Sequence, residues 1–442
     1  MVTKSYTAGL SAFQWFIFLL ASSVAFPIVL GGVFQLPAEA ISSLMQRTFL
    51  VVGISSFIQG WLGHRYPIAD GPAGSWVSVF VILADVTVRQ GGNPQDTLPI
   101  LEGGLIMAGL LLFLLGISGF VQRLLFLFTP LVTGSFLFIL ALQLSGVFMK
   151  GMMGLQGGAS RSDWTVTGIS FGLFAFVLFL SVKGRGWVKN YAVLIGIATG
   201  WAVFLAAGKS SLSVPHAADP FKLPELFAWG APQFNAGITV TAILFTFILV
   251  SNTVAALSAI RQVVPETDRR EERSLKRGSI SGGISHLLSS AFSTVGIVPL
   301  PVTAGFIRLT GQTGRRPFLA ACLILAGISF LPSIVGVLAL LPEPVACAVI
   351  LASFVQMVGI SMQSIVKEAL DQRRLSILGI TLLISFGLMF LPAEAFQGLP
   401  SILQYVLGNG LLVGTLTVIA LEQLWRPSRP ATAIEVPHAG RS

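Results

Sequence analysis

Charge is what this chain has least of. Asp, Glu, Lys and Arg make up 10% of its 442 residues, against 54% hydrophobic residues, which excludes an ordinary soluble domain. Cysteine is almost missing. Cys322 and Cys347 both sit in apolar runs and read as free buried thiols, which argues against a disulfide framework or a thiolate metal site. No nucleophile stands beside a base, no His/Cys/Asp/Glu group has metal-ligand spacing, and GGNPQDT at 91–97 lacks the lysine that a phosphate-cradling loop needs. The chain therefore reads as a non-enzyme without a cofactor, and uphill work would have to draw on an ion gradient or the membrane potential.

Long apolar runs are what is there. The first follows MVTKSYTAGL and reaches Phe34. It is longer than a signal-peptide core and has no small-residue cleavage site, so it reads as a first transmembrane helix. Charge-poor runs from about residue 11 to 421 give fourteen spans. With the amino terminus in the cytoplasm, 21 of the 27 Lys and Arg residues fall on the cytoplasmic side and six outside, as the positive-inside rule requires. The net charge of +9 is thus accounted for by scattered loop residues, and a nucleic-acid partner is not indicated. The expected architecture is an all-α polytopic membrane protein with both termini cytoplasmic. The Pro-rich polar segment 209–234 divides it into seven plus seven spans, and an odd number per half makes the repeat inverted.

Two stretches break the helical pattern. In AFSTVGIVPLPVTAGFIRLTG, residues 291–311, Pro299 and Pro301 interrupt apolar sequence, removing amide donors and blocking helix geometry. The basic segments on either side, 269–277 and 308–316, belong on one face, so thirty residues must cross the membrane twice. Two helices would need about forty. An extended piece removes the deficit, which predicts a helix near 278–296, a short strand near 297–301 and a half-helix from 302. YPIADGPAGSWVSVF, residues 66–80, carries the matching Pro67, Gly71, Pro72 and Gly74 in the first half. These are spans 3 and 10, one per half. Non-helical backbone at membrane depth needs protein or a polar cavity around it, and paired interrupted spans point to a transporter's binding site.

Few polar groups lie at that depth. Asp70 is the only acidic residue well inside a predicted span, and intramembrane ionisable groups are functional suspects; pairing with Arg65 at the boundary is the alternative. Asn252 can donate and accept hydrogen bonds, or serve as an interhelical contact. His286 reads as a packing histidine or as a proton carrier.

Three stretches resemble the nucleobase-ascorbate transporter family, the uracil and xanthine permeases also termed nucleobase:cation symporter-2. QWFIFLLASSVAFPIVLG, residues 14–31, resembles the family's opening span with Gln14 and Pro27; GSISGGISHLLSSAFST, residues 278–294, is similar to the Gly/Ser-rich ninth span; RLTGQTGRR, residues 308–316, resembles the close of the tenth. The resemblance implies a core of spans 1–4 (10–122) and 8–11 (235–340) and a gate of spans 5–7 (123–208) and 12–14 (344–425); the tail at 426–442 reads as disordered from its own residues. The resemblance also implies a homodimer in the cell (inner or plasma) membrane that takes up a purine, xanthine or uracil-like nucleobase with protons, by an elevator displacement of the core. Carried over by position, the substrate contacts of span 3 fall on Ala73, Gly74 and Ser75. The glutamate of span 8 falls on Asn252 and its next polar residue on Ala256, and the span 10 motif falls on Pro301, Val302 and Thr303. An amide and a valine thus replace two acidic positions, leaving Asp70 and then His286 as coupling candidates. The departures keep open an anion transporter or channel of the same fold, as in the sulfate permease group, and a receptor-like or structural membrane protein as a third reading.

Overall fold

The computed structural model describes residues 2–89, 91–155, 161–210, 220–264, 271–396 and 398–425; the tail expected to be disordered lies outside them. Fifteen helices of eight residues or more are labelled here in chain order: α1 (Val2–Val33), α2 (Ala38–Trp61), α3 (Gly74–Arg89), α4 (Leu98–Ser118), α5 (Pro130–Met152), α6 (Trp164–Lys183), α7 (Ala192–Ala206), α8 (Ala236–Arg261), α9 (Glu271–Ala291), α10 (Val302–Thr310), α11 (Arg315–Ile328), α12 (Pro332–Ala339), α13 (Glu343–Ile365), α14 (Gln372–Phe390) and α15 (Gly410–Leu424). Two strands, β1 (Asp70–Pro72) and β2 (Ile297–Pro299), precede α3 and α10. Among the described residues, eight helices are long and apolar enough to cross a membrane. A ninth span results if α11 and α12, bent by 90°, count together. That bend falls at Leu331, pushed out of helical geometry by the ring of Pro332 behind it.

The helices pack as two groups. In one, α2 lies along α1, α11 and α12, while α4 lies along α8 and α9; in the other, α13 lies along α5, α6 and α7, and α15 along α14 and α5. Small residues set the closest approaches, as is usual where no water-driven collapse brings helices together. A Cβ on Gly53 of α2 would stand 2.7 Å from the Cys322 carbonyl of α11, and one on Gly283 of α9 would stand 2.7 Å from the Gly109 carbonyl of α4.

β1 and β2 pair antiparallel in the register Asp70 to Pro299, Gly71 to Val298 and Pro72 to Ile297. Ala73 N–H donates to the Gly296 carbonyl at 2.8 Å and Leu300 N–H to the Ala69 carbonyl at 2.9 Å, extending the ladder at both ends. Each broken segment thus supplies the other's missing partners, which is how extended backbone survives at this depth. A two-stranded ladder also suits Pro72 and Pro299, because each strand has an outer edge where no N–H is needed. The preceding helix stops at Ala291, short of 296, because Ser293 takes a positive φ of 45° and turns the chain toward β2.

The segment before α8 is more than a divider. Its residues from 221 onward are sewn to the first helix group: Phe221 stacks on Phe330 with centroids 5.3 Å apart. Lys222 offers its carbonyl to Gln46 Nε2 at 2.7 Å, while Phe227 N–H reaches the Ala291 carbonyl and Gln233 N–H the Pro99 carbonyl, both at 2.9 Å. Arg47, counted from sequence among the outer loop cations, is instead buried in α2, with its guanidinium 5.7 Å from the Trp229 ring centroid. Glu102 is buried as well, because α4 begins at Leu98, and it accepts a short hydrogen bond from Ser293 Oγ. Asp70 is therefore not alone among acidic residues inside the helical bundle.

Candidate functional site

A cavity of about 220 Å³ lies between the two helix groups, where the half-helices α3 and α10 begin. Its floor is Pro72, Gly74 and Ser75 from the first broken segment, and Val298, Leu300, Pro301 and Val302 from the second. Glycine stands at 74 because α3 begins against the facing helices: a Cβ there would lie 2.9 Å from Leu144 Cδ1 of α5 and 3.7 Å from Phe354 Cζ of α13. The walls are aromatic on both sides. Phe18 and Phe26 of α1 and Phe306 of α10 face Phe354 and Leu140. Phe18 and Phe306 are stacked at 4.5 Å, and Phe354 is held edge-on to Phe148 at 5.2 Å. Flat apolar walls of this kind favour a planar ring over a compact hydrated ion.

The polar groups are few and complementary. Asn252, in the cavity lining, uses its Nδ2 to donate to the Pro299 carbonyl at 2.9 Å. That bond fixes the amide flip and leaves Oδ1 as an acceptor. The first N–H groups of a helix have no intrahelical acceptor. In α10, Thr303 and Ala304 give theirs to the Leu300 and Pro301 carbonyls, whereas those of Gly74 and Ser75 in α3 find no acceptor among the described residues. One edge of the cavity therefore offers donors from the α3 terminus, with the positive end of its dipole, and an acceptor from Asn252. Among the described residues, Lys189 is the single charged one in the lining.

Of the positions carried over from the resemblance, Gly74, Ser75, Asn252, Pro301 and Val302 line the cavity. Ala73, Ala256 and Thr303 do not. Ala73 is buried, with its N–H spent on Gly296; Ala256 is buried in packing; Thr303 turns its hydroxyl to accept from Ala69 N–H at 3.3 Å. The aromatic lining, and Tyr191, Ser353 and Gln356 from the second helix group, were not singled out for this site from sequence. With 33 phenylalanines in the chain, residue type alone does not distinguish those at the site. Gln14 lies outside the lining but ties the groups together, accepting from Gln312 Nε2 at 2.8 Å and hydrogen-bonding Tyr191.

The two coupling candidates are placed differently. His286 Nε2 accepts from Trp76 Nε1 at 2.9 Å, so its Nδ1 carries the proton and donates to the Gly282 carbonyl at 2.8 Å. Both ring nitrogens are occupied by packing partners. Asp70 is fully buried behind the floor in β1. Its N–H donates to Ser56 Oγ at 2.9 Å, but among the described residues neither carboxylate oxygen has a hydrogen-bond partner, so the Asp70 carboxylate is not paired with Arg65.

Comparison with known proteins places this architecture. The xanthine/uracil permease model, described as a permease family, matches residues 7–394. A Bacillus subtilis protein whose name assigns it provisionally to the purine permeases is 34% identical over 427 residues, covering 94% of this chain and 96% of the relative. The chain belongs to this permease family. It is accordingly a multi-pass membrane transporter and not an enzyme. A Bacillus subtilis uric acid permease is 24% identical over 426 residues, covering 95% of this permease and 96% of the relative. The transmembrane domain of a cyanobacterium bicarbonate transporter shares the fold, with a TM-score of 0.64 at 13% identity, covering 93% of this permease and 97% of that chain.

Proposed function

We propose that this permease carries a purine-class nucleobase, held in the aromatic cavity with one edge against Gly74, Ser75 and Asn252. The observation that carries the reading is the pairing of free α3 amides with the Asn252 Oδ1 acceptor, flanked by phenylalanines. A purine edge alternates ring acceptors with N–H donors, and its faces are flat and apolar. Here the amide oxygen of Asn252 takes the accepting role that the family resemblance gives to a carboxylate. The names of the relatives, purine and uric acid permeases, support the same class. A small inorganic anion suits the site less, since its lining is largely apolar and Lys189 is its one cation.

The helices further support fourteen spans in an inverted seven-plus-seven repeat, with β1 and α3 forming the third and β2 and α10 the tenth. On this reading the first helix group, spans 1–4 and 8–11, is the moving core, the second, spans 5–7 and 12–14, is the gate, and the permease is a homodimer. The cavity lies on the boundary between them, where an elevator displacement would alternate its access. Both termini are cytoplasmic, and coupling runs through Asp70. His286, locked between Trp76 and Gly282, is the second choice.

Asn252→Leu tests the recognition. It removes the acceptor and frees the Pro299 carbonyl, leaving polar ligand atoms unpaired in a dry pocket. The expected cost is about 1–3 kcal/mol, or roughly 5- to 150-fold in affinity, read by purine-induced thermal shift of the purified permease. Undiminished purine binding in that variant would remove Asn252 from recognition.

A further inference from the structure

A second cavity of about 470 Å³ adjoins the first, and Leu137, Pro301 and Gly305 line both. Its volume falls within the roughly 300–1,000 Å³ of small-molecule sites. Its lining is more polar than the deep cavity's. Arg308 of α10 and Lys367, just past α13, line it from the two helix groups, together with Gln262, Gln363, Ser258 and Thr133, and among the described residues no carboxylate is in the lining. The acid next to Lys367 in sequence, Glu368, is engaged by Arg374. Arg308 has no ion pair or side-chain hydrogen bond among the described residues. Two cations without a carboxylate partner among the described residues, with a set of amide and hydroxyl groups, thus surround a space that shares part of its wall with the deep cavity.

We propose that this cavity is a separate binding site for a small planar organic anion, such as the monoanion of an oxidised purine, and that substrate pauses there between the deep site and the basic face. The proposal rests on the purine reading and narrows it to substrates that carry charge. A guanidinium presents a fork of donors to neighbouring acceptor atoms, and a cleft walled by one sign of charge concentrates the opposite one. Arg308 and Lys367 belong to different groups, so relative motion of the groups changes their separation and with it the hold on the anion. The deep cavity, with its aromatic walls, then selects the ring, and the outer one selects the charge.

The test compares urate, largely anionic at neutral pH, with hypoxanthine, which is neutral. Binding is measured on the full-length permease in phosphatidylcholine nanodiscs, for the native protein, Arg308→Gln with Lys367→Gln, and Arg308→Lys. The double variant is expected to lose about tenfold more affinity for urate than for hypoxanthine, and Arg308→Lys to retain most of the native preference, as loss of nearby charge attraction implies. Rising salt should weaken urate binding to the native protein more than to the double variant. Equal effects on the two purines, or no effect, would overturn the proposal while leaving the purine reading standing. A charge dependence that appears only with anionic lipid in the nanodisc would overturn it in favour of a lipid headgroup as occupant. Failure of the native protein to bind either purine would defeat the underlying reading along with it.

Discussion

Asp70→Asn should abolish gradient-driven accumulation while leaving substrate exchange in place. The carboxylate is fully buried in β1, and neither oxygen meets a donor among the described residues. An isolated carboxylate in such surroundings is costly by many kcal/mol, which is what a group that takes up a proton or a cation during transport requires. It also sits two residues before Pro72, which lines the aromatic cavity, and its strand register partner is Pro299, whose carbonyl accepts from Asn252. A change of charge at Asp70 therefore acts on the backbone that positions the recognition edge. Asparagine fits the same space and mimics the neutral acid, so the variant should still cycle but no longer pick up and release the coupling ion. With one proton per substrate, the native permease can concentrate substrate roughly tenfold per unit of pH gradient, since about 1.4 kcal/mol is a factor of ten. The variant should lose that accumulation in proteoliposomes while retaining exchange. Imposing pH and sodium gradients separately identifies the ion. Unchanged accumulation under both would remove Asp70 from coupling and transfer the question to His286.

The second large effect is expected at Gly305. This residue lies within α10 on the lining of both cavities, and a Cβ there would meet nothing within 4 Å. Glycine inside a helix is itself unfavourable by about 1 kcal/mol relative to alanine, so replacement should not harm folding. Gly305→Leu places four carbons in the passage between the cavities. If that raises the barrier to movement by about 3 kcal/mol, flux falls roughly 100-fold, while the thermal midpoint of the unliganded protein stays level or rises. Gly305→Ala, which adds one carbon, should slow transport far less. The readings are uptake in proteoliposomes and thermal unfolding of the same preparations. Full transport by a stable Gly305→Leu protein would show that substrate does not pass this point.

Much of this arrangement was legible in the sequence because it depends on local chemistry. Pro67, Pro72, Pro299 and Pro301 fall close together in two short stretches and disfavour helix there, and thirty residues cannot cross a bilayer twice as helix. The broken segments and Asn252 could therefore be named in advance. Phase was harder to read. At 301–303 the chain changes from a strand period of two to a helical period near 3.6, and a shift of one residue exchanges inward for outward; Val302 faces the cavity and Thr303 turns back to Ala69. What depended on distant partners was not legible. Nothing local in RTFLVVG marks Arg47 as covered by Trp229, 182 positions on, and nothing in the run 221–234 announces that it hydrogen-bonds the start of α4, the end of α9, Gln46 within α2 and the turn after α11. The aromatic walls were hidden for another reason, since phenylalanine is everywhere in the chain.

Counterflow in proteoliposomes tests the central claim most directly. Vesicles containing the purified permease are loaded with unlabelled xanthine and diluted into trace radiolabelled xanthine, with no ion gradient imposed. Transient accumulation of label is expected, abolished by external urate or hypoxanthine and unaffected by bicarbonate or sulfate at equal ionic strength. No accumulation of label, together with saturable exchange of bicarbonate or sulfate by the same vesicles, would contradict the purine assignment.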